Sequence, residues 1–261
     1  MKLPIYQIDV FASEVFKGNP AAVVPLIEWL PDETMQAIAM ENQLSETAFV
    51  VIGESKIALR WFTPKIEVDL CGHATLASAH VLFTEMGVND PTVTFETRRG
   101  NLAVTNLGSQ YEMDFPKDKL YPVEAEKAAI EMALRCDVLE LWRGRDDFMA
   151  VVANESVVIE LKPDFWKVAE LSARGVLVTA AGESADFVSR CFFPLAGLDE
   201  DPVTGSAHTT MAPYWSDRLG KRILRAHQIS ARGGEIVCEP VGSQVKMRGQ
   251  ALTYLRGEIV I

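Results

Sequence analysis

The hydrophobic and polar positions of the chain predict two successive α+β segments. Alternating apolar residues indicate strands, and apolar spacing near 3.6 residues indicates helices. The first segment reads, in order, as strands 5–11 and 21–24, a helix from Asp32, strands 48–52 and 57–62, a helix from 72 to about 86, and strands 92–97, 102–106 and 111–115. Small residues in the second helix let it pass close to neighbouring backbone, so we expect it to be central and buried.

The second segment repeats this order after a predicted linker at 116–122. It reads as a helix at 124–134, strands 148–152, 156–161, 175–180 and 186–193, a helix from Ser206, and strands 234–238, 244–247 and 251–261. We therefore expect two domains, residues 1–117 and residues 118–261. Each is an α+β domain whose sheet wraps around one central helix.

Short motifs recur at nearly constant spacing, which indicates a duplication. The recurring pairs are Gly53-Glu54-Ser55 with Gly182-Glu183-Ser184, Arg60-Trp61-Phe62 with Arg190-Cys191-Phe192, and Gly72-His73-Ala74 with Gly205-Ser206-Ala207. The offsets are 129, 130 and 133 residues, close to half of the chain. Two pseudo-symmetric domains usually face each other across a cleft, so we expect chemistry where the two copies differ.

Composition limits the partners of this chain. Its formal net charge of −11 over 261 residues argues against nucleic acid or an anionic membrane as a partner. No apolar run approaches the roughly 20 residues of a membrane helix, and Asp9 interrupts the N-terminus too early for a signal peptide. The four cysteines show no CxxC spacing, which fits reduced thiols in a cytoplasmic protein better than disulfides or a metal site.

Two glycines, Gly72 and Gly205, precede or begin the two central helices. A glycine there lets a ligand approach backbone N–H groups, and the helix dipole favours an anion. The alternative is that each glycine merely starts a helix, and their matching positions in the repeat favour the ligand. A small anionic carboxylate substrate is the expected partner.

The densest polar stretch, 199–208, holds three carboxylates directly before the second central helix. Asp201 and Ser206 are candidate site residues there, although either could simply cap the helix. Pro202 stiffens this loop, as a site of fixed geometry requires.

Ser45 and Glu46 lie between the first helix and the following strand, and the repeat places Gly175 near Glu46. A carboxylate present in only one copy is what a one-base site would show, and the alternative is a solvated glutamate at a helix end. His73 lies one residue into the central helix, where the dipole keeps an imidazole neutral and ready to exchange a proton. A capping or core histidine is the alternative.

Cys71 precedes Gly72, and a helix N-terminus lowers the pKa of a thiol. Cys71 is therefore either a reactive thiolate or an inert buried thiol. Its counterpart in the repeat falls around 202–204, where there is no cysteine. A mechanism with two symmetric thiols lacks its second member.

These motifs resemble the PhzF family of phenazine biosynthesis-like proteins over nearly the whole chain. The matching segments are Gly18-Asn19-Pro20-Ala21, Ser45-Glu46-Thr47, Asp69-Leu70-Cys71-Gly72-His73-Ala74, Glu200-Asp201-Pro202-Val203-Thr204-Gly205-Ser206-Ala207 and Gln228-x-Ser230-x-Arg232-Gly233-Gly234. The resemblance implies a diaminopimelate-epimerase-like fold and cofactor-free, metal-free proton transfer, typically an isomerisation.

The resemblance also implies roles for single residues. Glu46 takes the role of acid and base, and His73, Asp201 and Ser206 match further active-site positions. Gly72 and Gly205 match glycines that bind substrate through the backbone, and we add Ser45 as a binding residue. A homodimer is implied as well.

Three functions compete on this sequence. The leading hypothesis is an isomerase that transfers a proton on a small unsaturated or cyclic carboxylate. The alternatives are an amino-acid epimerase that uses the single thiol of Cys71, and a non-catalytic carboxylate-binding protein.

Overall fold

A computed structural model describes residues 1–53 and 56–261. Glu54 and Ser55, the centre of the first copy of the repeated turn motif, lie outside the described residues. The chain divides into two compact units, one formed by Met1–Met113 with Arg248–Ile261 and the other by Asp114–Met247. No helix in the described part of the chain is long and apolar enough to cross a membrane.

The helices and strands alternate along both halves of the chain. In chain order the elements are β1 (Lys2–Val10), β2 (Asn19–Leu26), α1 (Asp32–Asn42), β3 (Glu46–Ile52), β4 (Ile57–Phe62), β5 (Glu67–Val68), α2 (Gly72–Thr84), β6 (Thr92–Thr97), β7 (Gly100–Asn106), β8 (Tyr111–Pro116), β9 (Tyr121–Pro122), α3 (Lys127–Leu134), β10 (Glu140–Arg143), β11 (Phe148–Val151), α4 (Glu155–Glu160), α5 (Phe165–Ala169), β12 (Val176–Ala181), β13 (Phe187–Phe193), a short 3₁₀ turn (Pro194–Ala196), β14 (Leu198–Asp201), α6 (Gly205–Leu219), β15 (Leu224–Gln228), β16 (Gly234–Val241), β17 (Gln244–Gly249) and β18 (Ala251–Val260).

The first unit is built on α2. Strand β1 pairs antiparallel with β2, β2 parallel with β3, β3 antiparallel with β4, and β4 parallel with β6. Every α2 residue from His73 to Leu82 is buried, which confirms the expected central helix. A separate cluster that includes Met35, Phe49 and Phe62 packs under α1.

The last strand, β18, pairs along all of β1 and therefore belongs to the first unit. The sequence prediction assigned residues 251–261 to the second domain, because the order of the elements alone does not show which strand the chain end joins. The nine paired residues of β1, from Lys2 to Val10, give this closing strand its place.

The second unit repeats the pairing order of the first. Strand β10 pairs antiparallel with β11, β11 parallel with β12, β12 antiparallel with β13, and β13 parallel with β15. Its central helix is α6, whose buried residues include Ala207, His208 and Met211. The two units thus share one mixed, mostly antiparallel architecture, and the expected α+β fold class is confirmed.

Two equivalent ion pairs show how closely the repeat is kept. Arg60 donates two hydrogen bonds to Glu67, each of 2.7 Å. Arg190 donates two to Glu200, of 2.7 and 2.8 Å. Each guanidinium also lies 5.2 Å from the ring centroid of the phenylalanine two residues on.

One predicted element is wrong. The β-branched run at 156–161 was predicted as a strand, but it forms the short helix α4. The side chain of Asn154 accepts a hydrogen bond from the Val157 N–H and caps this helix. The cap outweighs the strand preference of Val157, Val158 and Ile159.

Candidate active site

Glu46 lies at the junction between α1 and β3. Helix α1 ends at Asn42, and Gln43 follows in the left-handed region with φ 50°. The amide of Asn42 donates to the Thr47 hydroxyl over 3.0 Å and ties the helix end to the strand. Glu46 is therefore the first residue of β3, with Ser45 just before it in the connecting bend.

Glu46 and His73 form a close, mostly buried pair. His73 Nε2 lies 3.1 Å from Glu46 Oε2, and the two side chains are 8% and 17% exposed. Neither atom makes an aligned hydrogen bond to any of the described residues. The contact is therefore an ion-pair approach between two groups that are both able to exchange protons.

The second imidazole nitrogen of His73, Nδ1, lies near a thiol and an amide. His73 Nδ1 lies 3.5 Å from Cys71 Sγ and 3.5 Å from Asn19 Nδ2. Cys71 is the residue before α2, in extended conformation, and it is buried. Burial, with the nearby charge of Glu46, raises the pKa of the Cys71 thiol to about 11. Cys71 is thus a neutral thiol at pH 7, and the helix N-terminus does not make it a thiolate.

The pKa of His73 is also raised, but for an imidazole a raised pKa favours the charged form. Burial alone would lower the pKa of the imidazole, but the side chains of Cys71 and Glu46 beside it outweigh burial and raise that pKa well above 6.5. With Cys71 a neutral thiol at pH 7, the carboxylate of Glu46 is the partner that favours an imidazolium there. The expectation of a neutral His73 considered only the helix dipole, and the carboxylate 3.1 Å away reverses it.

These three side chains also form the one group of potential metal ligands found within the described part of the chain. One ligand atom each from Glu46, Cys71 and His73 lies within 4.8 Å of the others, and zinc accepts all three donor types. The two imidazole nitrogens face opposite partners, however. His73 would have to reorient before all three residues could share one ion.

In the second unit, Asp201 is held in a buried network just before α6. Its Oδ2 accepts a 2.6 Å hydrogen bond from the Thr204 hydroxyl. Gln228 accepts from the Thr204 N–H over 2.8 Å and donates to the Asp201 carbonyl over 2.7 Å. Ser230 donates to the Pro202 carbonyl over 2.7 Å. The loop that precedes Gly205 therefore has a fixed geometry.

The three carboxylates of this loop do not act as one cluster. Glu200 accepts two hydrogen bonds from Arg190, as Glu67 accepts two from Arg60 in the first unit. Asp199 is exposed, whereas Asp201 is buried. Only Asp201 of the three is both buried and directed at the residue that precedes α6.

Ser206, the counterpart of His73, has a cationic neighbour. Arg174 Nη2 lies 3.4 Å from Ser206 Oγ. The same guanidinium donates to both oxygens of Asp147, over 2.9 and 2.5 Å. Asp147 is buried, and burial raises the pKa of its carboxyl although Arg174 opposes that shift.

The position that matches Glu46 cannot hold a larger side chain. A Cβ atom at Gly175 would lie 2.3 Å from the Phe192 carbonyl oxygen and 2.3 Å from Phe193 Cδ1. Both distances are far below van der Waals contact. The absence of a carboxylate at residue 175 is therefore built into the packing of β12 against β13.

The structure brings Glu46 and His73 together, and it places Asp201, Gly205 and Ser206 around the start of α6. Gly72 and Gly205 are the first residues of their helices, as expected. Sequence reasoning missed Arg174 and Asp147. The repeat offers a signal for Arg174, because this residue precedes Gly175 as Ser45 precedes Glu46.

The comparisons with known proteins place this chain in a family. The model of the family described as phenazine biosynthesis-like protein matches residues 8–257. A relative in Pseudomonas aeruginosa, named an uncharacterized isomerase, is 49% identical over 259 residues and covers 99% of each chain. A PhzF-family crystal structure from Enterococcus faecalis has a TM-score of 0.95 at 46% identity, with full coverage of both chains.

A more distant structure supports the fold alone. A predicted epimerase from Pseudomonas aeruginosa superposes with a TM-score of 0.80 at 20% identity and 99% coverage of both chains. It confirms the epimerase-like fold, and the relatives named as isomerases support an enzyme of the isomerase class. The chain belongs to the phenazine biosynthesis-like (PhzF) family.

Proposed function

We propose that this protein is a cofactor-independent isomerase that transfers a proton on a small unsaturated or cyclic carboxylate. The observation that carries the proposal is the buried 3.1 Å approach of Glu46 to His73. A carboxylate beside an imidazolium, both shielded from water, with Glu46 Oε2 and His73 Nε2 making no aligned hydrogen bond to the described residues, has the composition of an acid–base pair.

Glu46 is the proton carrier in this scheme. Its carboxylate takes a proton from a carbon next to an unsaturated or carbonyl group, so a C–H bond breaks and an O–H bond forms. The electron pair left behind moves into the conjugated system and shifts the double bond. The Glu46 carboxyl then returns the proton to another carbon of the same molecule. His73, as a cation, stabilises the negative charge that develops between the two steps.

Each unit offers candidate substrate-binding groups at the start of its own central helix. Gly72 and Gly205 offer backbone N–H groups at the positive ends of α2 and α6, where a carboxylate is favoured. Ser45 and Ser206 supply hydroxyls. Asp201, locked by Thr204 and Gln228, is the candidate acid or charge-stabilising group of the second unit.

A single base explains the asymmetry of the repeat. Packing excludes a carboxylate at Gly175, so the second unit offers no counterpart of Glu46. One carboxylate that removes and returns the proton gives an isomerisation with partial internal return. Two opposed bases would instead favour racemisation.

The structure does not favour an epimerase that uses Cys71. A thiol with a pKa of about 11 is almost fully protonated at pH 7, whereas thiol catalysis needs the thiolate. The repeat position of Cys71 is held by Thr204, which precedes α6 as Cys71 precedes α2. A two-thiol mechanism is therefore missing both an ionised thiol and its partner.

The test is incubation in D₂O with a panel of unsaturated cyclic and amino carboxylates in the presence of EDTA, followed by NMR. We expect deuterium at a specific carbon of one compound, together with a shifted double bond. The Glu46→Gln variant should lose this exchange, and Glu41→Gln, an exposed glutamate on α1, should keep it. Exchange that survives in Glu46→Gln, or that needs added metal, contradicts the proposal.

We further propose that the enzyme works as a cytoplasmic homodimer. The family resemblance carries this expectation, and closed two-fold dimers are the commonest oligomers. Light scattering at micromolar concentration should give twice the 28.8 kDa chain mass. A monomer mass would overturn it.

A further inference from the structure

Arg174 occupies, in the second unit, the place next to the residue that matches Glu46. The Arg174 guanidinium contacts Ser206, the counterpart of His73, over 3.4 Å. In the first unit, a carboxylate contacts the imidazole at the same place of the repeat. The second unit thus has a cation beside a hydroxyl where the first unit has a carboxylate beside an imidazole.

The guanidinium is held rigidly from behind. Asp147, only 5% exposed in its side chain, accepts hydrogen bonds from Nε and Nη2. The ring of Phe193 lies under the group, with its centroid 4.9 Å from Cζ. A guanidinium fixed by a carboxylate and an aromatic ring loses little freedom when it binds a ligand.

A comparison with Arg190 separates a binding arginine from a structural one. The side chain of Arg190 is 13% exposed. Its Nε and Nη2 donate hydrogen bonds to Glu200, and its Nη1 donates to the Leu161 carbonyl over 2.9 Å. Arg174 has a 43% exposed side chain. Its Nη1 donates to none of the described residues. One edge of this guanidinium is therefore open to a ligand.

We propose that Arg174 binds the carboxylate of the substrate, with Ser206 as its neighbour, and so sets the selectivity of the enzyme for carboxylic acids. The planar guanidinium matches a carboxylate in shape and charge. The assignment to substrate rests on the proposed isomerase function. The binding of a carboxylate at Arg174 can be measured without turnover.

The probe is malonate, titrated by calorimetry at low ionic strength. Replacing a charge-assisted pair by an apolar side chain should weaken malonate binding about tenfold or more in Arg174→Met. Arg174→Lys should recover part of the affinity, because the charge remains without the planar fork. Arg145→Gln is the matched control, since this neighbouring arginine is 75% exposed and pairs with Asp146. Its affinity should equal that of the unsubstituted protein.

A second variant guards against a folding effect. Arg174→Met leaves buried Asp147 without its cation, so the double variant Arg174→Met/Asp147→Asn removes both charges and should also lose malonate. Binding that persists in both variants, or that disappears in His73→Gln instead, overturns the assignment. Absence of malonate binding by the unsubstituted protein also overturns it. Failure of the D₂O exchange, by contrast, refutes the isomerase proposal and leaves the malonate result standing.

Discussion

Glu46 and His73 join two distant parts of the first unit, because Glu46 is the first residue of β3 and His73 is the second residue of α2. Their reactive atoms are 3.1 Å apart. The pairing couples the charge of the imidazole to that of the carboxylate.

His73 should titrate above the other buried histidines. The pKa of His73 is raised well above 6.5, whereas burial lowers the pKa of His80 and of His208 to about 4. NMR of the imidazole C–H signals at pH 6 should show His73 charged and the other two neutral. In Glu46→Gln the pKa of His73 should fall, because burial then meets less opposition. An unchanged value in that variant would show that Glu46 is not the partner.

This raised pKa also fixes the sign of a stability effect. The folded state keeps the His73 proton at pH values where the unfolded chain releases it. The contribution to the free energy of unfolding is therefore complete below pH 6.5 and declines as the pH rises through the folded pKa. Activity that needs the imidazolium should fall over the same alkaline range.

Substitutions at Glu46 should separate its chemistry from substrate binding. Glu46→Gln should reduce the rate ~10²–10⁴-fold, the usual cost of removing a general base. Glu46→Asp should lower kcat strongly with little change in KM, since the shorter side chain moves the carboxylate by about one methylene. Both constants come from steady-state kinetics on the compound found by deuterium exchange. A Glu46→Asp enzyme with normal kcat and a raised KM would make Glu46 a binding residue.

Cys71 should be dispensable for the chemistry. Its thiol is neutral at pH 7 and buried beside His73. Cys71→Ser should therefore keep activity within about tenfold, and iodoacetamide at neutral pH should act slowly. Cys136→Ser provides the control, since Cys136 is the one cysteine whose thiol is only half-buried and is therefore the expected site of alkylation. An inactive Cys71→Ser protein that is folded by circular dichroism would restore the thiol mechanism.

The sequence predicted the parts of the fold that depend on local patterns and on the repeat. The starts of α2 and α6 follow from Gly72 and Gly205, and the pairing order of one unit follows once the other is known. The position of β18 did not follow, because it depends on which strand the chain end meets. The helix α4 was missed because a single cap at Asn154 decided between two states of an apolar run.

The candidate site could be predicted residue by residue but not as an arrangement. Glu46 and His73 lie 27 positions apart, and nothing in their spacing fixes the 3.1 Å contact or the resulting charge on His73. Arg174 carries no motif of its own. Arg174 can be recognised as a candidate binding residue only from its contacts with Ser206 and Asp147, which the folding of the second unit brings beside it.

His208 should make the protein sensitive to acid. It is fully buried and donates from Nδ1 to the Thr204 carbonyl over 2.8 Å, as the hydroxyl of Thr75 donates to the Cys71 carbonyl in the first unit. The folded pKa of His208 is about 4, against 6.5 in the unfolded chain. As the pH falls from 7 to 4, the unfolded chain takes up a proton at this histidine before the folded protein does, and the free energy of unfolding falls by about 3 kcal/mol.

The variant His208→Thr copies the first unit and tests this directly. It should show a smaller loss of stability on acidification, measured by urea unfolding at pH 7 and pH 4.5. Any cavity left by the substitution lowers stability equally at both pH values and cancels in the difference. An identical pH dependence in the variant would mean that His208 does not titrate in this range.

Gly175 should tolerate no side chain, although its backbone conformation is an ordinary one. A Cβ atom there would overlap the Phe192 carbonyl and the Phe193 ring, each at 2.3 Å, and the Phe193 ring also supports Arg174. Gly175→Ala should therefore lower the free energy of unfolding by about 1–3 kcal/mol, the cost of overpacking. Gly257→Ala is the control, because its nearest neighbour is the end of the flexible Leu255 side chain at 3.3 Å. Urea unfolding of both variants decides the matter. Equal stability of the two would show that the β12–β13 packing can open, and the absence of a second base would then need another cause.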